Sequence, residues 1–164
     1  MQIGEGFAGD GVNAAHVNTV LGSKDGPVGA SWVTALATPR AGHTPFVVVV
    51  KPNVPVKPMT LFVNKATVEP ANERHATLTW GAAQAGVAAG VLAALRKGVI
   101  HSDDADDVVL VAAVWVNPAA DDEELVYANN EAAVLSALTA ARDNQPTTRA
   151  VLDAGAPENP YFRS

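Results

Sequence analysis

Apolar and polar positions alternate along the chain in a way that predicts strands joined by helices. Residues 12 to 21 mix β-branched and small residues between glycine-rich turns, which predicts a strand. On a two-residue period, His16 and Asn18 lie side by side on one face of that strand. From Pro27 to Pro39 apolar residues recur every four positions, which predicts a short amphipathic helix.

The middle of the chain predicts two more strands. The continuous apolar run FVVVV at 46 to 50 is typical of a buried central strand. The proline-rich KPNVPVKP that follows predicts a stiff extended connection. TLFVNKATV at 60 to 68 returns to strand character, and its period places Lys65 and Thr67 on one face.

An alanine-rich helix is predicted from about residue 80 to 97. Gln84 lies three residues before Val87, on the apolar stripe of that helix. Gly86 and Gly90 each cost roughly 1 kcal/mol against alanine in a helix, which indicates close approach of another backbone.

The rest of the chain predicts one strand, one helix and a tail. VVLVAAVWV at 108 to 116 is a strand, and the acidic start and basic end of residues 121 to 142 suit a helix. The order strand, helix, strand, strand, helix, strand, helix predicts a single α/β (α+β) domain in two layers. We expect this domain to span residues 1–145 and an irregular tail to span residues 146–164.

Composition narrows the functional classes. The 164 residues carry a net charge of −6 and no basic cluster, which argues against nucleic-acid binding. The absence of cysteine excludes disulfides, thiolate metal sites and a cysteine nucleophile. Neither a secretory signal nor a run of about 18 apolar residues is present, so a soluble cytoplasmic protein with no membrane segment is expected.

Common catalytic motifs are missing. GEGFAG at 4 to 9 matches a dinucleotide-binding pattern in letters, but it precedes a strand where it should follow one. The four histidines lack the close helical spacing of a local metal pair, so no metal is expected. His75 and His101 lie in polar, turn-like segments and are predicted to be solvated. The acidic run at 103 to 107 is predicted to be a solvated turn, since it lacks calcium-ligand spacing.

One set of polar residues lies on otherwise apolar faces. Taken singly, each is explained as well by a structural role, such as a hydrogen-bonded core histidine or a lysine whose stem lies along apolar surface. Together they indicate a polar cluster within apolar walls, which is typical of a small-molecule site. The set is His16, Asn18, Lys65, Thr67 and Gln84.

Several motifs in order resemble one known family, the formaldehyde-activating enzymes, over residues 3 to 145. They are GDGVNAAHVN at 9 to 18, PNVPVKPMTLFVNKAT at 52 to 67, GAAQAGVAAGV at 81 to 91, GVIHSDDADD at 98 to 107 and AADDEELVYANNEAA at 119 to 133. The resemblance implies a lyase of one-carbon metabolism that condenses formaldehyde with tetrahydromethanopterin to 5,10-methylenetetrahydromethanopterin and water. Tetrahydromethanopterin is then a co-substrate, and no metal is implied.

The resemblance also implies a site, a fold and an assembly. His16 matches the family's proposed catalytic acid, and the fold is that of domain 2 of ribosomal protein S5. The family forms ring-shaped homopentamers with the site between subunits. Pterin-binding positions match Asn18, Val47, Lys65, Thr67 and Gln84.

Four departures from the family pattern leave alternatives open. Asn18 replaces an aspartate, Val47 replaces the usual leucine and His43 replaces an aromatic hydrocarbon side chain, while the segment between Thr67 and Gly81 is two residues longer. A divergent paralogue that acts on or binds another reduced pterin or folate is one alternative. A non-catalytic protein that binds formaldehyde or a pterin is another.

Overall fold

A computed structural model describes residues 1–39, 44–64 and 73–158 of this chain. Its main sheet has five strands in the order β1-β2-β7-β6-β3, and β4 and β5 form a separate hairpin. All pairs in the main sheet are antiparallel except β6 with β7. The strands are β1 Gln2–Ala8, β2 Ala15–Ser23, β3 Phe46–Val47, β4 Val49–Lys51, β5 Val54–Pro55, β6 Met59–Val63 and β7 Val108–Trp115.

The helices are placed mainly on one face of the sheet. A π-helical segment, Leu78–Ala83, joins α2 to α3 without a break. The α-helices are α1 Pro27–Ala37, α2 Glu73–Thr77, α3 Gln84–Arg96, α4 Glu123–Arg142 and α5 Thr148–Asp153. Asp122 caps α4, since its side chain accepts a hydrogen bond from the backbone N–H of Leu125.

We call the helix-packed side of the sheet the covered face. Alternate residues of the strands point into it and are fully or almost fully buried, as a two-residue period requires. Val17 on β2, Leu110 on β7 and Phe62 on β6 belong to one core cluster with residues of α3 and α4.

Glycines bring β1 and α3 close to α4. A Cβ added at Gly4 or Gly6 would lie 2.0 Å from the carbonyl oxygen of Ala137 or Ala133. A Cβ at Gly86 would lie 2.4 Å from the Tyr127 oxygen, which confirms the predicted close approach of helix to helix.

The other side of the sheet, which we call the open face, carries His16, Asn18 and Val20 on β2. Only part of it is covered by α1, which lies near the end of β2, where a Cβ at Gly22 would meet the Val28 side chain at 2.7 Å. The single mixed α/β domain is confirmed, and α1 adds a helix on the second face that a plain two-layer arrangement lacks.

Two predictions need correction, and one strand was missed. FVVVV at 46 to 50 is not a central strand: it divides between the edge strand β3 and the hairpin strand β4, and Val50 is exposed. The first strand, β1, was not predicted, because Gly4 and Gly6 are poor strand formers. The tail is not wholly irregular, since Thr147 caps the short helix α5.

The continuous helical stretch Glu73–Arg96 is, by length and composition, apolar enough to cross a membrane. In this structure 56% of its most apolar part is buried inside the protein, and α3 packs directly against α4. It therefore has the position of a core helix.

Candidate active site

His16 and Asn18 lie on neighbouring positions of the open face. A turn with positive φ at Gly9 and Gly11 leads into β2, where Ala15, Val17 and Thr19 alternate into the core. His16 is half-buried and Asn18 is exposed. The predicted strand and the predicted pairing of the two polar side chains are therefore confirmed.

A carboxylate and aromatic rings surround His16. The Nε2 atom of His16 lies 3.0 Å from Oε1 of Glu5, with the two side chains 41% and 61% exposed. The Phe7 ring centroid lies 6.2 Å from the imidazole centroid. On the opposite strand Trp115 is directly paired with His16. The imidazole thus lies beside a carboxylate and an aromatic ring and remains partly exposed.

Val47 lies on the same face but at the far edge of the sheet. It pairs with Leu61 on β6, which pairs with Val111 on β7, so Val47 is level with Val20 on β2. It is three strands from β2 and four residues further along the strand direction than His16. By ordinary strand spacings this is roughly 14 Å across and 13 Å along the sheet.

Gln84 belongs to the helical side of that far edge. It begins α3 and is only 9% exposed, in agreement with its predicted place on the inward stripe. Its Oε1 accepts a 2.8 Å hydrogen bond from the backbone N–H of Val49. Trp80, one turn earlier, packs on Phe46 and Phe62 with ring centroids 4.7 and 5.9 Å away.

The structure thus groups the predicted residues unevenly. His16 and Asn18 lie together near one edge of the sheet, and Val47 and Gln84 lie near the opposite edge. Lys65 and Thr67 lie outside the described residues, as does His43.

The nearest partner of His16 was missed by sequence reasoning. Glu5, together with Phe7, comes from β1, whose alternation of Ile3, Glu5 and Phe7 with small residues has the period of a strand. That alternation was the available signal, and the two glycines obscured it.

The other described histidines have different surroundings. The prediction that His75 is solvated is wrong: it is 7% exposed, and its Nε2 lies 3.0 Å from the carbonyl oxygen of Val116. A helix turn that packs on the strand end buries it, which sequence polarity could not reveal. His101 is exposed, as predicted. Within residues 1–39, 44–64 and 73–158, no group of three or more candidate ligands is placed to hold a metal ion.

The acidic run at 103 to 107 is an exposed turn, as predicted, apart from the buried Ala105. Lysines pair with its last two carboxylates: Lys57 Nζ is 2.6 Å from Asp106 and Lys24 Nζ is 2.7 Å from Asp107. The hydrogen bond from Lys57, and then its charge, lower the pKa of Asp106. The hydrogen bond to Asp107, and then its charge, raise the pKa of Lys24. These pairs hold a turn at the sheet end and are structural.

The open face of this mixed sheet thus presents a histidine, a carboxylate and the Phe7 ring close together. Comparison with known proteins assigns the chain to a family. The family described as formaldehyde-activating enzyme (Fae) matches residues 3–161. This chain belongs to that family, and the match extends beyond the 3 to 145 range expected from the motifs.

Individual relatives agree with the family match. The chain is 38% identical to the 5,6,7,8-tetrahydromethanopterin hydro-lyase of Methanosarcina barkeri over 150 residues, which is 92% of this chain and 83% of that protein. It is 39% identical to the bifunctional enzyme Fae/Hps of Methanosphaera stadtmanae over 92% of this chain and 37% of that protein. With the bifunctional enzyme of Methanosarcina mazei the identity is 40%, over 93% of this chain and 38% of that protein. The chain thus spans less than two fifths of the bifunctional relatives.

Proposed function

We propose that this protein is a lyase that condenses formaldehyde with tetrahydromethanopterin, giving 5,10-methylenetetrahydromethanopterin and water. The observation that carries the proposal is His16, which is half-buried on the open face near the Phe7 ring, in a chain of the formaldehyde-activating enzyme family. The name of the Methanosarcina barkeri relative supports the same reaction.

The chemistry requires an acid. One ring nitrogen of the pterin attacks formaldehyde to form a carbinolamine, whose hydroxyl must leave as water before the second nitrogen closes the methylene bridge. A positioned proton donor assists that departure and typically supplies about 10² to 10⁴-fold. We assign this role to His16, since imidazole exchanges protons near neutral pH. Orientation of the two reactants supplies the remainder.

The pterin is held, in this proposal, by Asn18, Val47, Lys65, Thr67 and Gln84. Asn18 offers an amide donor and acceptor to the pterin's own amide and amino groups. Gln84 already uses its oxygen on Val49, so its amide nitrogen is the group left for a ligand. The proposal includes no metal.

A complete site needs two copies of the chain. His16 and Val47 are separated by roughly 20 Å within one copy, and Gln84 lies on the helical side of the far edge. A single pterin is contacted by both groups if the far edge of one copy lies against the open face of the next. Repetition of such a head-to-tail contact closes a ring when the rotation between neighbouring copies divides a full turn evenly. We therefore propose a homopentamer with a site between subunits, built on a ribosomal protein S5 domain 2-like fold and located in the cytoplasm.

The assay compares the rate of methylene-tetrahydromethanopterin formation with and without purified protein. The proposal predicts acceleration over the spontaneous condensation, with saturation in the pterin. A rate equal to the spontaneous one, from protein shown to be folded, would reject it.

Asn18 favours a second candidate function, in which the acceptor is another reduced pterin or a folate. The family pattern places a carboxylate here, and an amide cannot offer the same paired acceptors to an amino and an amide group. Asn18→Asp then improves tetrahydromethanopterin binding, by about tenfold or 1.4 kcal/mol. Unchanged or weaker binding in this variant counts against a changed acceptor.

A non-catalytic formaldehyde carrier is the third candidate. It predicts reversible capture of formaldehyde by Lys65 and no affinity for any reduced pterin. A titration with tetrahydromethanopterin and tetrahydrofolate separates it from the other two.

A further inference from the structure

The contact between Glu5 and His16 joins two neighbouring strands. Phe7 is paired with His16 and Glu5 is paired with Asn18, so the carboxylate reaches the imidazole on the diagonal. Oε1 of Glu5 lies 3.0 Å from Nε2 of His16, which is the distance of an ion pair when the imidazole is protonated.

The backbone around Glu5 is held firmly. Gly4 and Gly6 flank it, and both lie against α4 so closely that an added Cβ would be 2.0 Å from a carbonyl oxygen of that helix. Alternation sends these two glycines to the covered face and Glu5 to the open face. The contact with α4 therefore fixes the strand that presents the carboxylate.

The chemistry of the pair assigns the two ring nitrogens. An ionised carboxylate presents only lone pairs, and a bare Nε2 at 3.0 Å would oppose them with its own lone pair, so this distance favours a proton on Nε2 of His16. In the neutral ring Nδ1 is then the bare nitrogen, and in the imidazolium Nδ1 carries the proton that can be released. Asn18, which lies across from Glu5, adds no charge to the pair.

We propose that Glu5 is the positioning residue of the catalytic acid. It holds His16 through Nε2–H and leaves Nδ1–H as the donor that protonates the departing hydroxyl. The proton moves from Nδ1 to the carbinolamine oxygen, the C–O bond breaks, and water leaves; Glu5 keeps its negative charge throughout. The proton transfer to the carbinolamine rests on the proposed function, whereas the assignment of the Nε2–H tautomer does not.

The tautomer is tested directly by ¹⁵N NMR of labelled protein at a pH where the imidazoles are neutral. His16→Gln identifies the His16 resonances by their loss. The inference predicts the Nε2–H tautomer in the native protein and a mixture of both tautomers in Glu5→Ala. Glu5→Gln also gives a mixture, since its amide can accept from Nε2–H or donate to a bare Nε2. An Nδ1–H tautomer in the native protein, or no change in Glu5→Ala, would overturn the inference.

Kinetics then test the role in turnover. Glu5→Ala lowers kcat by about tenfold or more and leaves KM for formaldehyde unchanged. This loss is smaller than the reduction of about 10² to 10⁴-fold that removal of the general acid itself would cause. Glu5→Gln recovers part of that loss. In a His16→Gln background Glu5→Ala has no further effect, since the two residues act as one unit.

A matched control is Asp106→Ala, which breaks a somewhat more exposed ion pair with Lys57 at the turn. It leaves kcat and the His16 tautomer unchanged. If the native protein shows no activity with tetrahydromethanopterin, the proposed function fails while the NMR result still decides whether Glu5 fixes the imidazole.

Discussion

The two faces of the five-stranded sheet are built from alternate residues of the same strands, yet they differ in how much added side-chain volume they accommodate. On the covered face, Gly4, Gly6 and Val17 are packed so closely on the helices that little added volume fits. On the open face, Glu5, His16 and Asn18 keep solvent access. A two-residue period therefore lets one strand serve stability and chemistry at once.

The contrast also explains why a histidine can occupy a strand rich in valine and alanine. Its neighbours Ala15 and Val17 are fully buried, while the histidine ring lies on the other side, near the Phe7 ring. The buried apolar neighbours stabilise the strand, and the histidine does not destabilise the core because its side chain lies on the open face.

The largest expected effect is on the covered face. Gly6→Ala places a methyl group 2.0 Å from the Ala133 oxygen, so either β1 or α4 must shift. We expect a loss of about 3 kcal/mol in the free energy of unfolding, measured by urea denaturation, at the upper end of overpacking effects.

Gly81→Ala is the matched control, because nothing lies within 4 Å of a Cβ at that position. It should leave stability unchanged or raise it by about 0.5 kcal/mol. Equal destabilisation by both substitutions would show that the close packing at Gly6 is not what makes this position sensitive to an added methyl group.

Adjacent residues of β2 give the sharpest comparison of the two faces. Val17→Ala removes fully buried methyl groups and should cost roughly 2 kcal/mol of stability, with the pterin KM unchanged. Asn18→Ala should change stability by less than about 0.5 kcal/mol, since the side chain is exposed, but raise the pterin KM. Denaturation and steady-state kinetics on the two variants measure both quantities. The opposite pattern would mean that the faces have been assigned the wrong way round.

The smallest effect concerns the ion pairs at the turn. Lys57→Ala should raise the pKa of Asp106 back toward its ordinary value of 3.8, since the Lys57 hydrogen bond and charge lower it. The Lys57–Asp106 pair stabilises the fold at pH values above 3.8. This contribution is lost as the pH falls through the lowered pKa of Asp106 in the folded state. An NMR titration of the Asp106 carboxyl group measures the change. Turnover should not respond, and a loss of activity would show that this turn is not merely structural.

The sequence predicted the elements whose signals are local. Periodicity placed His16 and Asn18 on one face of β2 and put Gln84 on an inward helix stripe, and the structure agrees. The spacing of Gly86 and Gly90 predicted a close helix contact for a local reason, the cost of glycine within a helix.

What the sequence could not predict depends on strand order. FVVVV has the composition of a central strand, but its place at the sheet edge is decided by which strands pair. The same pairing brings Glu5 onto His16 and separates Val47 from both. Val47 entered the candidate site by resemblance alone, and the burial of His75 required knowledge of its packing on the end of β7.

The central claim is that His16 on the open face supplies the proton for departure of water. The most direct measurement is the single-turnover rate of methylene-tetrahydromethanopterin formation by His16→Gln, which keeps a hydrogen-bond donor toward Glu5 but cannot act as an acid. The account predicts a loss of about 10² to 10⁴-fold from a folded protein that still binds the pterin. A rate equal to that of the native protein would contradict it.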